Sequence, residues 1–149
     1  MIKTSSAFLA TVLCAGVAHA AVKDEAALPP LQSRGHISWI SGGIGKTQAE
    51  AFEHAASRYP LTLEFLLKPE RKGAPAEFTA AVPLTITDGH GKEIFSATSN
   101  GPFMLLSLPE GHYTVTARYH GRKLERRVFV GHGHHRAVFE WTIDARMAT

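Results

Sequence analysis

Leu108-Pro109-Glu110-Gly111-His112-Tyr113-Thr114-Val115-Thr116-Ala117-Arg118-Tyr119 decides the fold. From Tyr113 onward apolar and polar residues alternate strictly. Tyr113, Val115, Ala117 and Tyr119 fall on one face, and Thr114, Thr116 and Arg118 on the other. A period of two is the mark of a half-buried strand. Pro109-Glu110-Gly111 supplies a turn before it, and an apolar strand, Phe103 to Leu108, leads into that turn. A second turn at Gly121 leads to a third strand, Leu124 to Val130.

The same period recurs on both sides. Toward the N-terminus, Glu93 to Thr98 pairs across the hairpin loop Asp88-Gly89-His90-Gly91-Lys92 with a run in which Phe78, Ala80, Val82, Leu84 and Ile86 alternate. Pro83 inside that run removes a ladder donor, which predicts an edge or a bulge there. A charged loop, Lys68 to Glu77, precedes it. Before the loop, Leu61, Leu63, Phe65 and Leu67 alternate with Thr62 and Glu64, which predicts a half-buried strand. The period changes only over Gln48 to Arg58. There Ala49, Phe52, Ala56 and Tyr59 form a helical stripe, His54 falls off it, and Pro60 ends it. Thr47 and Glu50 fit a capping box at its start. His36 to Ile40 is a further short strand, and Arg136 to Ile143 is the last one. Short strands at near-regular spacing predict a mainly β chain: an antiparallel β-sandwich of about seven strands with one short N-terminal helix.

The predicted organisation is a signal peptide over 1–20, a flexible leader over 21–35, one domain over 36–143 and a tail over 144–149. Lys3 supplies the positive start, Ala7 to Val17 is apolar, and Ala18-His19-Ala20 is a cleavage signal after Ala20. The apolar run is too short for a permanent span. A periplasmic or secreted location follows, with no membrane span after cleavage. The one cysteine, Cys14, lies within the signal, so the cleaved chain holds neither a disulfide nor a thiol nucleophile. A chain of 149 residues, 44% hydrophobic, can build a core without staples. A formal charge of +3 is too mild to indicate nucleic acid as a partner.

Four clusters could carry chemistry. Gly45-Lys46-Thr47 matches the end of a phosphate-binding loop, but the glycine required five residues before Gly45 is Ile40. The stretch Ser41 to Thr47 reads instead as a glycine-rich turn with positive φ. His90 and Glu93 could supply two zinc ligands of a hydrolase, which would need a third ligand and a general base. His132, His134 and His135 could ligate zinc, copper or nickel between the last two strands. They are the candidate metal ligands of the alternative reading, a periplasmic metal-binding protein. Arg118, Arg122, Lys123, Arg126 and Arg127 make the hairpin around Gly121 basic. They read as a solvated face that blunts an edge strand, and in a functional version they would attract anionic lipid or polysaccharide. No Ser-His-Asp set or paired carboxylates stand out, so no catalytic residue and no cofactor is expected.

Leu108 to Ala117 resembles the L-P-x-G-x-Y-x-V-x-A signature of carboxypeptidase regulatory-like domains, which share the transthyretin-like (prealbumin-like) Greek-key sandwich. The order of further motifs is similar to small exported bacterial proteins with this domain: Ser41 to Gly45, then Tyr59-Leu61-Leu63, Thr85 to Asp88, Ser99 to Pro102 and Phe139 to Trp141. The resemblance covers about Ile37 to Trp141. It implies a fold rather than an activity, because in metallocarboxypeptidases the domain is an accessory to a separate catalytic domain. The expected function is a non-enzymatic exported module that binds or scaffolds an envelope protein or component.

Overall fold

Ten strands and one helix follow one another in the computed structural model, which describes residues 28–144. The signal-peptide reading, Ala21 to Ala27 of the leader and most of the tail lie outside the described residues. The strands are β1 (Gln32–Arg34), β2 (Ile37–Gly42), β3 (Leu61–Pro69), β4 (Glu77–Phe78), β5 (Pro83–Asp88), β6 (Glu93–Thr98), β7 (Phe103–Ser107), β8 (Gly111–Tyr119), β9 (Arg122–Val130) and β10 (His135–Ile143). The helix α1 spans Lys46–Ala56. One sheet has the order β1-β2-β7-β3-β10, with β4 also paired to β3, and the other has the order β6-β5-β8-β9. The protein is a mainly β sandwich of two sheets with one helix.

The alternation read along β8 is realised. Tyr113, Val115 and Ala117 are buried against Leu84, Ile86 and Val128 from the same sheet and against Leu63, Phe65, Phe139 and Trp141 from the other. Tyr113 also fixes the turn before it, since its hydroxyl donates to the Pro109 carbonyl at 2.5 Å. Burial first, and then the charge of Asp88, raises the Tyr113 phenol above its ordinary value. The neutral phenol is therefore favoured by folding. Its contribution is complete below the ordinary tyrosine range near pH ~10 and is lost as pH rises through the folded value. Tyr113→Phe is expected to lower stability by about 1 kcal/mol and to remove this alkaline loss. Urea titrations near neutrality and at about pH 11 would show both effects, and an unchanged midpoint would refute the role.

Several expectations are corrected. Gln32–Arg34 falls in the predicted leader yet pairs antiparallel with β2 as a hairpin. Not every pair is antiparallel: β3 and β10 run parallel from His135↔Leu61 to Ile143↔Pro69. A parallel pair needs a long crossover, and here the whole second sheet lies in the chain between them. The run Phe78 to Ile86 is not one strand. It breaks at Ala81, where φ is +57°, and its two parts join different sheets. Pro83 sits at the first position of the interior strand β5, where a missing donor is tolerated, and the irregularity of that strand comes later, between Ile86 and Thr87.

β3 is buried on both faces rather than half-buried. Leu61, Leu63 and Phe65 face the sandwich interior, while Thr62 and Glu64 are buried on the opposite face. The reason is α1, which lies on the outer face of the first sheet. Its Phe52, Ala55 and Ala56 pack with Ile40, Phe103 and Leu105 in a second core layer. The capping box also fails. Gly45 is the N-cap, with no side-chain cap bond, and Gln48 takes the reciprocal role: its Oε1 accepts from the N–H groups of Gly43 (2.8 Å) and Ile44 (3.1 Å).

Arginines close both open sides of the sandwich. Arg34 reaches from β1 to donate to the Ser96 carbonyl on the β6 edge at 2.9 Å. On the other side, Arg122 donates to Thr142 O at 3.0 Å and Arg126 to Val138 O at 3.2 Å. These carbonyls belong to β10 and would otherwise lie unpaired on a sheet edge. Two members of the basic hairpin thus have structural partners rather than forming a purely solvated face.

Candidate functional site

A large apolar depression lies where β4 takes the place of β7 beside β3. β7 pairs with β3 from Phe103↔Glu64 to Leu106↔Leu61, and beyond its end β4 pairs Phe78↔Leu66 and Glu77↔Leu67. β2 runs along the far side of β7 and ends at Gly42, so the Gly43–Gly45 turn stands opposite the free edge of β4. The groove between them holds about 670 Å³. Phe103, Ala49 and Pro102 line it, with Ile44 and Phe78 at its sides.

Both side residues are large and apolar yet open to solvent, Ile44 at 66% and Phe78 at 53% exposure. Phe78 is held there by the buried Phe103 ring, 5.3 Å centroid to centroid. Its main chain is available as well. Thr79 N–H donates to Phe65 O at 3.1 Å. The alternation of an antiparallel pair then directs the N–H and C=O of Phe78 away from β3, toward the free edge.

The charged groups along the groove are engaged. Lys46 and Glu50 stand 3.9 Å apart as an exposed i,i+4 pair. Glu53 takes both terminal nitrogens of Arg136, at 3.1 and 2.9 Å. Arg136 Nε also donates to Glu64 Oε2 at 2.8 Å. A guanidinium between two carboxylates thereby ties α1 to the sheet beneath. The hydrogen bond from Arg136, working against desolvation, holds the Glu53 carboxyl below the usual carboxylate range, and the same bonds push Arg136 up.

The sequence-predicted clusters fare differently. The Ser41–Thr47 turn has positive φ at Gly43 (+98°) and Gly45 (+84°), as expected of the glycine-rich reading. The N–H groups of Gly43 and Ile44 are occupied by Gln48, so they cannot cradle a phosphate. His90 sits at a hairpin tip and Glu93 begins β6. Asp88 Oδ1 shapes that tip by accepting from the N–H groups of His90 (2.9 Å) and Lys92 (3.0 Å), and these bonds, Lys92 first, hold its carboxyl below the usual range. His134 Nδ1 lies 2.8 Å from Tyr59 O, and His135 N–H donates to Pro60 O at 2.9 Å, which fastens the His132–His135 loop to the end of the α1–β3 connection. Among the described residues no three His, Cys, Asp or Glu side chains converge to hold a metal ion.

Sequence reasoning missed the groove entirely. Phe78 reads as one more core position of an alternating run. The only available signal was its position directly after the charged loop, ahead of the Pro83 break.

No family model matches the chain. No curated protein is significantly similar to it.

Proposed function

We propose that this protein is a non-enzymatic exported binding module of the carboxypeptidase regulatory-like type, and that its groove receives an extended apolar segment of a partner protein. The observation that carries this reading is Phe78: a half-exposed aromatic ring beside an apolar groove, on a strand whose outward N–H and C=O face a free edge. An extended peptide can satisfy both features at once. Its main chain pairs with the edge and its alternate side chains enter the groove. The carboxylates along the groove are committed to Arg136 and Lys46, which suits recognition rather than proton transfer.

A displayed library of random nonapeptides would test this. Selected peptides are expected to show alternating apolar residues and to shift the amide resonances of Gly43–Lys46 and Phe78–Ala80. Phe78→Ser and Ile44→Ser each change an exposed side chain and are expected to weaken binding at least about tenfold. Peptides that perturb other regions, or that bind both variants as tightly as the parent, would refute the reading.

A further inference from the structure

The outer face of the second sheet carries a different surface. Leu84, Ile86, Val115 and Ala117 point inward, so Thr85, Thr87, Thr114 and Thr116 point outward, and the register sets them side by side as Thr85↔Thr116 and Thr87↔Thr114. The next strand adds Glu125 opposite Thr116 and Arg127 opposite Thr114. Where this ladder meets the Asp88–Lys92 hairpin there is a concavity of about 580 Å³. Thr87, Thr114, His112, Arg127 and Phe129 line it.

Three features give it a chemical character. Arg127 is exposed and, among the described residues, its guanidinium has no ion pair or hydrogen bond, unlike those of Arg122 and Arg126 on the same strand. Phe129 is 51% exposed, and its ring is steadied by His112 with centroids 4.8 Å apart. Thr87 and Thr114 add hydroxyls to the lining, that of Thr87 also donating to the Thr114 carbonyl at a long 3.5 Å. The one carboxylate of the concavity, Asp88, is turned into the hairpin loop by the N–H groups of His90 and Lys92.

An aromatic plane, an unpaired guanidinium and adjacent hydroxyls match the parts of an acidic sugar: the C–H face of a pyranose, its carboxylate and its hydroxyl groups. We propose that this concavity binds an anionic sugar unit, with Arg127 on the acid group, Phe129 under the ring, and Thr87 and Thr114 on the hydroxyls. The site is separate from the Phe78 groove, on the opposite sheet, and its test does not depend on that reading.

Calorimetry of the purified protein with a galacturonic acid tetramer, a neutral galactose tetramer and inorganic phosphate decides it. The acidic tetramer is expected to bind at least about tenfold tighter than the neutral one and to weaken with added salt. Arg127→Gln and Phe129→Ala, both at exposed positions, are each expected to reduce its affinity at least about fivefold with unchanged thermal melts. Equal binding of the neutral sugar would overturn the assignment. So would phosphate binding that is insensitive to Phe129→Ala, or no binding of the acidic tetramer up to about 10 mM.

Discussion

Gly101→Ala is expected to destabilise the domain by more than about 4 kcal/mol, enough to leave much of the chain unfolded. A Cβ at this position would lie 2.2 Å from the Gly42 carbonyl oxygen, 2.3 Å from its carbon and 2.8 Å from its Cα. These are backbone atoms at the end of β2, so no rotamer change can relieve the overlap. The neighbourhood is also tied. Ser41 Oγ accepts from Asn100 N–H at 2.8 Å and donates to Phe103 O at 3.1 Å, which holds the β6–β7 connection against β2. Movement that made room for a methyl group would break both bonds and displace the Gly43–Gly45 turn from the groove. Gly89→Ala is the matched control. Its Cβ would meet the His112 carbonyl at 3.7 Å, an ordinary contact, so a change within about 1 kcal/mol is expected. Urea unfolding of both variants is the measurement. Equal stability of the two would show that the Gly42–Gly101 approach is not a constraint.

The second large effect is at Arg136. Arg136→Met removes the cation shared by Glu53 and Glu64 and leaves Glu64, with a side chain only 11% exposed, as a charge without its partner. Breaking such a buried pair from one side costs about 3 kcal/mol, or roughly a 10 °C fall in the melting midpoint for a domain of this size. The double variant Arg136→Met with Glu64→Leu removes both charges and is expected to recover most of the loss, since an apolar pair of similar volume is tolerated. The pH dependence has a definite sign. Glu53 is held below its ordinary range by Arg136, so its contribution is present above that range and is lost as pH falls through the folded value. Arg136→Met should therefore lose less stability on acidification than the parent. Melts from neutral pH down to about pH 3 test this, and parallel acid limbs in parent and variant would refute it.

These two sites show why the groove was illegible in the sequence. Glu53 and Glu64 belong to an exposed helix face and to an alternating strand, and Arg136 lies near the start of a strand more than seventy positions later. Nothing local marks them as partners. The parallel register of β3 with β10 brings Arg136 beside Thr62, next to Glu64, and the helix sets Glu53 above. The histidine cluster shows the converse. His132, His134 and His135 are conspicuous as residue types, but the loop that carries them is held by the His134 ring against the Tyr59 carbonyl and by the His135 N–H on the Pro60 carbonyl.

Period-two alternation, one apolar run and turn residues by themselves determined the β-rich sandwich, the strands from β6 to β10, and the core faces of Tyr113, Val115 and Ala117. Each of those depends on neighbours a few residues away. The stretch from Leu108 to Tyr119 lies in this class. Sheet membership, the parallel pair, the second burial face of β3 and the substitution of β4 for β7 came only from tertiary structure. An alternating strand carries the same pattern whichever strand lies beside it, and edge pairing is settled by backbone groups that all residues share. The Phe78 groove exists because β7 stops at Phe103 and a two-residue strand fills its line, and no local pattern encodes where a distant neighbour ends.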